Sequence, residues 1–266
     1  MPESNKPLQV YVVFNQCPAF LLGAYGSFAG ETPNINRLAS LGTVYDQCFA
    51  APSLTLLDLQ TALEIEHTVC VDSGSSDSWI EELNGHEGSI LLYCEHSCDA
   101  PDLNRLEQQI DLNTQRDEFV GRLVEECEAL GKPFSLTMTA LAGDVQLAQN
   151  PPEWMRSLST MALQVPLIKY QSKHPHQRRI ALPTDLQDEL IDQPLADRLV
   201  VQSEQSISIR TPTWLFVQRL SDNNQEPQSL LFKKPEDRWE VLDVADQYPD
   251  VVEQFSQQLT ANYDSE

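Results

Sequence analysis

The chain has 266 residues, of which 41% are hydrophobic and 8% aromatic, and a formal net charge of −23. That size and apolar content suffice for one large or two modest domains around a real hydrophobic core. The acidity repels nucleic acid phosphates and anionic lipid, so neither is an expected partner, and it opposes a sulfate or phosphate ester unless a local basic pocket offsets the field.

In chain order, Leu8 to Phe14 is an apolar, β-branched run and reads as a buried strand. Thr32-Pro33-Asn34 follows a Gly-rich turn and precedes Ile35, Leu38, Ala39 and Leu41 at helical spacing, with Gly42 as the stop. Thr43 to Ala50 reads as a second strand. Pro52-Ser53 opens a second helix through about Leu63, with Ser53 as its N-cap. From Val71 to Ser89 the chain is polar and loop-rich around a short helix at Trp79 to Leu83. Ile90 to Tyr93 is a short strand candidate. Leu106 to Leu130 contains a helix with Phe119, Leu123 and Cys127 on one face, ending at Gly131. Phe134 to Leu141 and Val165 to Tyr170 read as further strands. Strands alternating with helices predict an α/β fold, a mostly parallel sheet flanked by helices.

The pattern changes after Pro194. Arg198 to Val201, Ser206 to Arg210, Trp214 to Leu220, Ser229 to Lys233 and Trp239 to Val241 are short runs separated by turn residues, as in an antiparallel meander. Val251 to Leu259 closes as an amphipathic helix. The expected division is 1–194 for the α/β domain and 195–266 for a small antiparallel subdomain packed on it. No segment reaches the roughly 18 consecutive apolar residues of a membrane span. The N-terminus lacks a basic region followed by a long apolar run, so a cytoplasmic location is expected. Cys17, Cys48, Cys70, Cys94, Cys98 and Cys127 are then free thiols.

One ordered set of motifs carries a resemblance. Leu22-Gly23-Ala24-Tyr25-Gly26 is followed by Thr32-Pro33-Asn34-Ile35-Asn36-Arg37-Leu38-Ala39, Gly42 and Ala50-Ala51-Pro52-Ser53. This resembles the sulfatases of the alkaline-phosphatase-like superfamily, which carry Leu-Gly-x-Tyr-Gly, Thr-Pro-Asn-Ile-Asp-x-Leu-Ala, a Gly and an Ala-Pro-Ser lead into the nucleophile. Fainter echoes lie at Val120-Gly121-Arg122-Leu123, Gln164 to Ile168, Ile207 to Arg219 and Trp239 to Asp250. The resemblance implies the sulfatase scaffold in a shortened form, without the long substrate-side insertions, notably between His96 and Arg116.

The same resemblance implies that the chemistry is lost. The family's first strand ends in paired aspartates that bind a divalent cation such as calcium or magnesium; Asn15 and Gln16 stand there. A hard cation needs several anionic oxygens to replace its water. A later strand ends in Ser-Asp-His-Gly in the family and in Ala140-Leu141-Ala142-Gly143 here, so Leu141 and Ala142 are degenerate metal positions as well. The formylglycine nucleophile, within Cys-x-Pro-Ser-Arg at a helix N-terminus, is replaced by Leu54, with Leu56, Leu57 and Asp58 in place of Pro, Ser and Arg. No catalytic residue, metal or cofactor is expected.

Some side chains keep chemical potential. Thr55 and Ser53 flank the lost nucleophile, but a hydroxyl needs a base or a metal to attack. Cys94, His96 and Cys98 have the short spacing of soft zinc ligands but no fourth partner, and read as plain thiols and imidazole. His174, His176, Arg178 and Arg179 form the one dense basic cluster, a solvated loop or a contact for an anion or an acidic partner surface. Asp185 reads as a helix cap, and Trp214 and Trp239 as core aromatics of the small sheet. The expected function is therefore binding or interaction, with an active relative or another protein as partner. The competing reading is an active sulfatase or phosphate-ester hydrolase with an unconventional site.

Overall fold

The N-terminal apolar run forms β1 (Leu8–Gln16) in a computed structural model that describes residues 7–71, 78–95, 102–148, 150–191, 193, 198–220 and 228–263. There follow α1 (Pro33–Leu41), β2 (Thr43–Tyr45), β3 (Cys48–Phe49), α2 (Leu56–Ala62), β4 (Thr68–Val71), α3 (Ser78–Gly85) and β5 (Ser89–Cys94). Then come α4 (Asp102–Ala129), β6 (Phe134–Ala142), α5 (Thr160–Leu163), β7 (Gln164–Val165), β8 (Ile168–Gln171), β9 (Arg178–Ile180), β10 (Thr184–Asp185) and α6 (Leu186–Leu190). The chain closes with β11 (Leu199–Gln202), β12 (Ser206–Arg210), β13 (Trp214–Arg219), β14 (Ser229–Lys233) and α7 (Pro249–Tyr263).

Seven strands make the main sheet, in the order β4-β5-β1-β6-β8-β2-β9. The first four run parallel, β8 is antiparallel to both its neighbours, and β2 and β9 are parallel to each other. Strand β1 lies between two parallel neighbours, so Val10, Val12, Val13 and Phe14 are all buried and the run is apolar rather than alternating. Helices flank this sheet. A second, three-stranded sheet has the order β10-β3-β7, and β11 to β14 form a separate antiparallel meander. The main core fills the large sheet and its helices. A smaller cluster joins Phe49, Met155, Leu158 and Leu163 to the meander's Leu215, Val217 and Phe232. A third lies between the other face of the meander and α7.

Several boundaries differ from the sequence expectations. The strand expected over Thr43 to Ala50 breaks at Asp46-Gln47, sending β2 to the main sheet and β3 to the second. Val165 to Tyr170 divides in the same way at Pro166-Leu167, where proline has no N–H for a ladder. Trp239 to Val241 is not a strand: Asp237 accepts from the Val241 and Leu242 amides and holds the segment as a turn. Trp239 itself is only half-buried and meets Phe20 edge-on, ring centroids 5.0 Å apart, so it bridges the meander to the large sheet instead of filling the meander's core. Trp214 does pack beneath the meander, against Tyr248 at 4.9 Å. Asp185 caps α6 by accepting from the Gln187 and Asp188 amides. The boundary expected at Pro194 lies outside the described residues. No described helix is long and apolar enough to cross a membrane.

Candidate functional site

The motif segments fold onto one another. The Tyr25 hydroxyl accepts from the Leu167 amide at 2.8 Å and donates to the Leu167 carbonyl at 3.3 Å, pinning the Gly-rich turn to the loop between β7 and β8. The Thr32 hydroxyl accepts from the Gly23 amide at 3.1 Å. Asp117 of α4 accepts from the Asn34 amide, the Ile35 amide and the Asn34 side chain, and so caps α1 from a neighbouring helix. A Cβ on Gly121 would come 2.6 Å from that Asn34 side chain, which is why α4 needs glycine at this crossing. These residues hold elements together.

At the C-terminal ends of β1 and β6, Gln16 is the register partner of Ala142, and Asn15, Gln16, Leu141 and Ala142 are all half-buried. Structure thus brings together the four positions that sequence grouped. Leu54, Leu56 and Leu141 pack against the main core. The carboxylate of Asp144 nearby is fully buried and fully engaged. It accepts from Arg105 Nε at 2.7 and 2.9 Å, from the Gln109 side chain at 2.9 Å and from the Gln146 amide at 3.0 Å. Two neutral amides, two hydrocarbon side chains and a carboxylate already paired with a guanidinium do not fit a hard divalent cation. Among the described residues, no three His, Cys, Asp or Glu side chains gather closely enough to hold a metal ion.

A polar stripe on α4 covers these strand ends. Arg105, Gln109, Asn113 and Arg116 recur at helical spacing and are all buried. Arg116 Nη1 donates to Asn113 at 2.6 Å and to Gln109 at 3.2 Å, its Nε and Nη2 have no partner, and its guanidinium lies 5.8 Å from the Phe14 ring centroid. Buried Cys17 and Cys94 face this cation. Burial raises both thiols, and Arg116 offsets only part of the rise. His96 and Cys98 lie outside the described residues. The stripe escaped the sequence reading, although polar residues spaced four, four and three apart on a long helix are its visible signal.

The N-terminus of α2 differs from expectation. Thr55, not Ser53, is the N-cap, in a capping box: the Asp58 amide donates to the Thr55 hydroxyl at 3.2 Å and the Thr55 amide to the Asp58 carboxylate at 2.8 Å. The Thr55 hydroxyl also donates to that carboxylate at 2.6 Å. Its hydrogen bonds draw Asp58 below the usual carboxylate range. Ser53 and Thr55 are exposed, and Leu54 is half-buried between them.

The basic cluster disperses. His174, His176 and Arg178 are exposed at the sheet edge, whereas Arg179 pairs with Asp46 and donates to the Ala24 carbonyl at 2.6 Å. Arg179 thereby enters the wall of a cavity of about 480 Å³ at the seam between the large sheet and the meander. None of Asn15, Gln16, Leu54, Leu141 and Ala142 lines it. Arg210, Lys234 and Arg238 do, and sequence reasoning missed all three. Arg210, 2% exposed, lies over the Phe49 ring at 4.3 Å and donates to Thr160 Oγ1 at 3.0 Å and the Leu158 carbonyl at 3.1 Å, while its Nε has no partner. Lys234 pairs with buried Glu240, which also accepts from the Thr160 hydroxyl at 2.5 Å. Burial lowers Arg210 to about 10 and Lys234 to about 8. The legible signal was Arg210 itself, a cation between the apolar strand residues of Ile207 to Arg210 and the turn at Thr211-Pro212.

No protein-family model matches the chain, and no curated protein matches it. Solved structures do. A protein solved with its substrate D-glucosamine-2-N,6-O-disulfate aligns with a TM-score of 0.72 at 9% identity, over 97% of each chain. A sulfatase of Pseudoalteromonas sp. aligns with a TM-score of 0.66 at 10% identity, over 97% of this chain and 90% of its own. A phosphonate monoester hydrolase of Agrobacterium radiobacter aligns with a TM-score of 0.60 at 11% identity, over 96% of this chain and 95% of its own. At such identities the likeness establishes the fold: the chain has the sulfatase, alkaline-phosphatase-like architecture.

Proposed function

We propose that this chain is a binding protein on the sulfatase scaffold that has lost sulfuric ester hydrolysis. One observation carries the reading: beside the C-terminal ends of β1 and β6, the carboxylate of Asp144 is neutralised by Arg105 at 2.7 Å. A cation needs anionic oxygens, and an ester needs a nucleophile beside them. Asn15, Gln16, Leu141 and Ala142 supply no anionic oxygen, and Leu54 supplies no nucleophile. Of the two hydroxyls that flank Leu54, that of Thr55 is engaged as a helix cap. The net charge of −23 argues against nucleic acid as the partner and leaves a protein or a small anion held in a locally basic pocket. The cytoplasm remains the proposed location.

The test is an aryl sulfate and aryl phosphate assay with calcium, magnesium, manganese or zinc added in turn. The expected result is no turnover above a protein-free control containing the same cation. Turnover that Thr55→Ala abolishes would overturn the proposal in favour of an ester hydrolase working from an unconventional site.

A further inference from the structure

The seam cavity concentrates positive charge in a strongly acidic chain. Four cations line it: Arg179, Arg210, Lys234 and Arg238. Two carboxylates answer them, Asp46 paired with Arg179 and Glu240 paired with Lys234. Asp237, next in sequence to Arg238, spends its carboxylate on the Val241 and Leu242 amides. Glu240 also faces the guanidiniums of Arg210 and Arg238, so one carboxylate is shared among three cations. Arg210 donates only to a hydroxyl and a carbonyl and keeps a buried, unpartnered Nε. Arg238 lies 4.8 Å over the Trp239 ring, and burial lowers its pKa too. Buried or half-buried cations that share one counter-ion are costly. A chain that keeps two of them facing one cavity is built for an anion that arrives from outside.

We propose that this cavity binds a small organic phosphate monoester, with Arg238 and Arg210 holding its phosphoryl group. Four cations against the two carboxylates leave an excess of two positive charges, which matches a dianion, and planar N–H forks match phosphoryl oxygens. A phosphate monoester carries close to two charges at neutral pH. The volume of about 480 Å³ is far more than a bare oxyanion fills and lies in the range of small-molecule sites. Ala24, Tyr25, Phe49 and Pro235 give the wall an apolar part for the organic body. The site stands apart from the strand-end positions, so binding there asks nothing of Leu54 or Thr55. The inference rests on the binding reading above and gives it a ligand class.

Titration calorimetry on the full chain with phenyl phosphate, phenyl sulfate and phenol tests it. Phenyl phosphate is expected to bind, phenyl sulfate roughly tenfold more weakly for want of the second charge, and phenol not measurably. Arg238→Ala is expected to weaken phenyl phosphate binding roughly tenfold to a hundredfold, and Arg238→Glu to abolish it. Circular dichroism and thermal melts establish that both variants fold. Arg178→Ala, on the same sheet edge but outside the cavity, is expected to bind as the parent does. No binding of phenyl phosphate at millimolar concentration overturns the proposal. So does parent-like affinity in folded Arg238→Glu, or equal affinity for phenyl sulfate. Phenol released during the titration sinks the non-hydrolytic reading instead and leaves the assignment of the cavity standing.

Discussion

Two buried arginines on one helix sit in opposite electrostatic positions. Arg105 faces the Asp144 carboxylate, whereas Arg116 has only the neutral oxygens of Gln109 and Asn113. Breaking a buried pair strands a charge; removing an unpaired buried charge relieves a desolvation penalty. Arg105→Met is therefore expected to destabilise the fold by about 3–5 kcal/mol. Arg116→Met is expected to be neutral to stabilising, gaining up to about 2 kcal/mol after the orphaned acceptors of Gln109 and Asn113 take their toll. Chemical denaturation of the two variants checks the contrast, and a larger loss from Arg116→Met than from Arg105→Met would contradict it. The candidate site was legible because Asn15, Gln16, Leu54, Leu141 and Ala142 stand beside ordered motifs in the sequence. The arginines that neutralise or crowd it were not, because a long polar helix gives no sign in sequence of which polar stripe turns inward. The retained motif residues explain the pattern. The hydroxyls of Tyr25 and Thr32 accept from backbone amides of other segments, Asn34 is held by Asp117, and Gly121 leaves room for Asn34, so replacing them costs the fold.

At the scale of elements, α2 is a well-capped helix start. The hydroxyl of Thr55 takes one of the amides left unbonded in the first turn, a role that chemistry at the position above it does not require. Thr55→Ala is expected to cost about 1 kcal/mol of stability, with ligand binding at the seam cavity unchanged. A thermal melt and a titration on the same variant check this, and loss of binding without loss of stability would give Thr55 a role other than the cap. Long elements were legible from periodicity: β1, α1, β6, β12 to β14 and α7 lie within a few residues of the expected bounds. The short ones were not. Strands β3, β7 and β10 have two residues each, so no alternation can develop, and they exist because the second sheet brings three distant segments together. The run Thr43 to Ala50 serves two successive sheets, and its polar Asp46-Gln47 pair marks where one strand ends and the next begins. Gly42 was correctly read as the end of α1, but for another reason. Its φ of −125° is available to any residue, whereas a Cβ there would meet the Lys169 carbonyl at 2.5 Å. The glycine serves the close approach of β8.

At the scale of the whole molecule, the buried protons decide how the fold responds to alkali. Burial raises the thiols of Cys17, Cys48, Cys94 and Cys127, the last to about 12, and the phenols of Tyr25 and Tyr45. The folded chain therefore keeps protons that the unfolded chain releases from about pH 8.5 for thiols and about pH 10 for phenols. A raised folded pKa contributes stability that is fully present below the unfolded value and lost as the pH climbs towards the folded one. Lys234 opposes this trend. Lowered to about 8 by burial, it lets the folded chain give up a proton that the unfolded chain holds to about pH 10.4, so its contribution grows with pH. Lys234, joined near pH 10 by Arg210, stands against four thiols, so the folded chain holds more protons than the unfolded one there, and each net proton is worth about 1.4 kcal/mol per pH unit. A domain stable by about 5–15 kcal/mol cannot absorb that for more than a few units. In the presence of a reductant, the melting temperature is expected to hold to about pH 8.5 and then fall steeply towards pH 11, and Cys127→Ala is expected to flatten the fall. A melting temperature that stays level or rises between pH 9 and pH 10.5 would mean that the buried cations of the seam, and not the thiols of the main core, govern the alkaline limit of this fold.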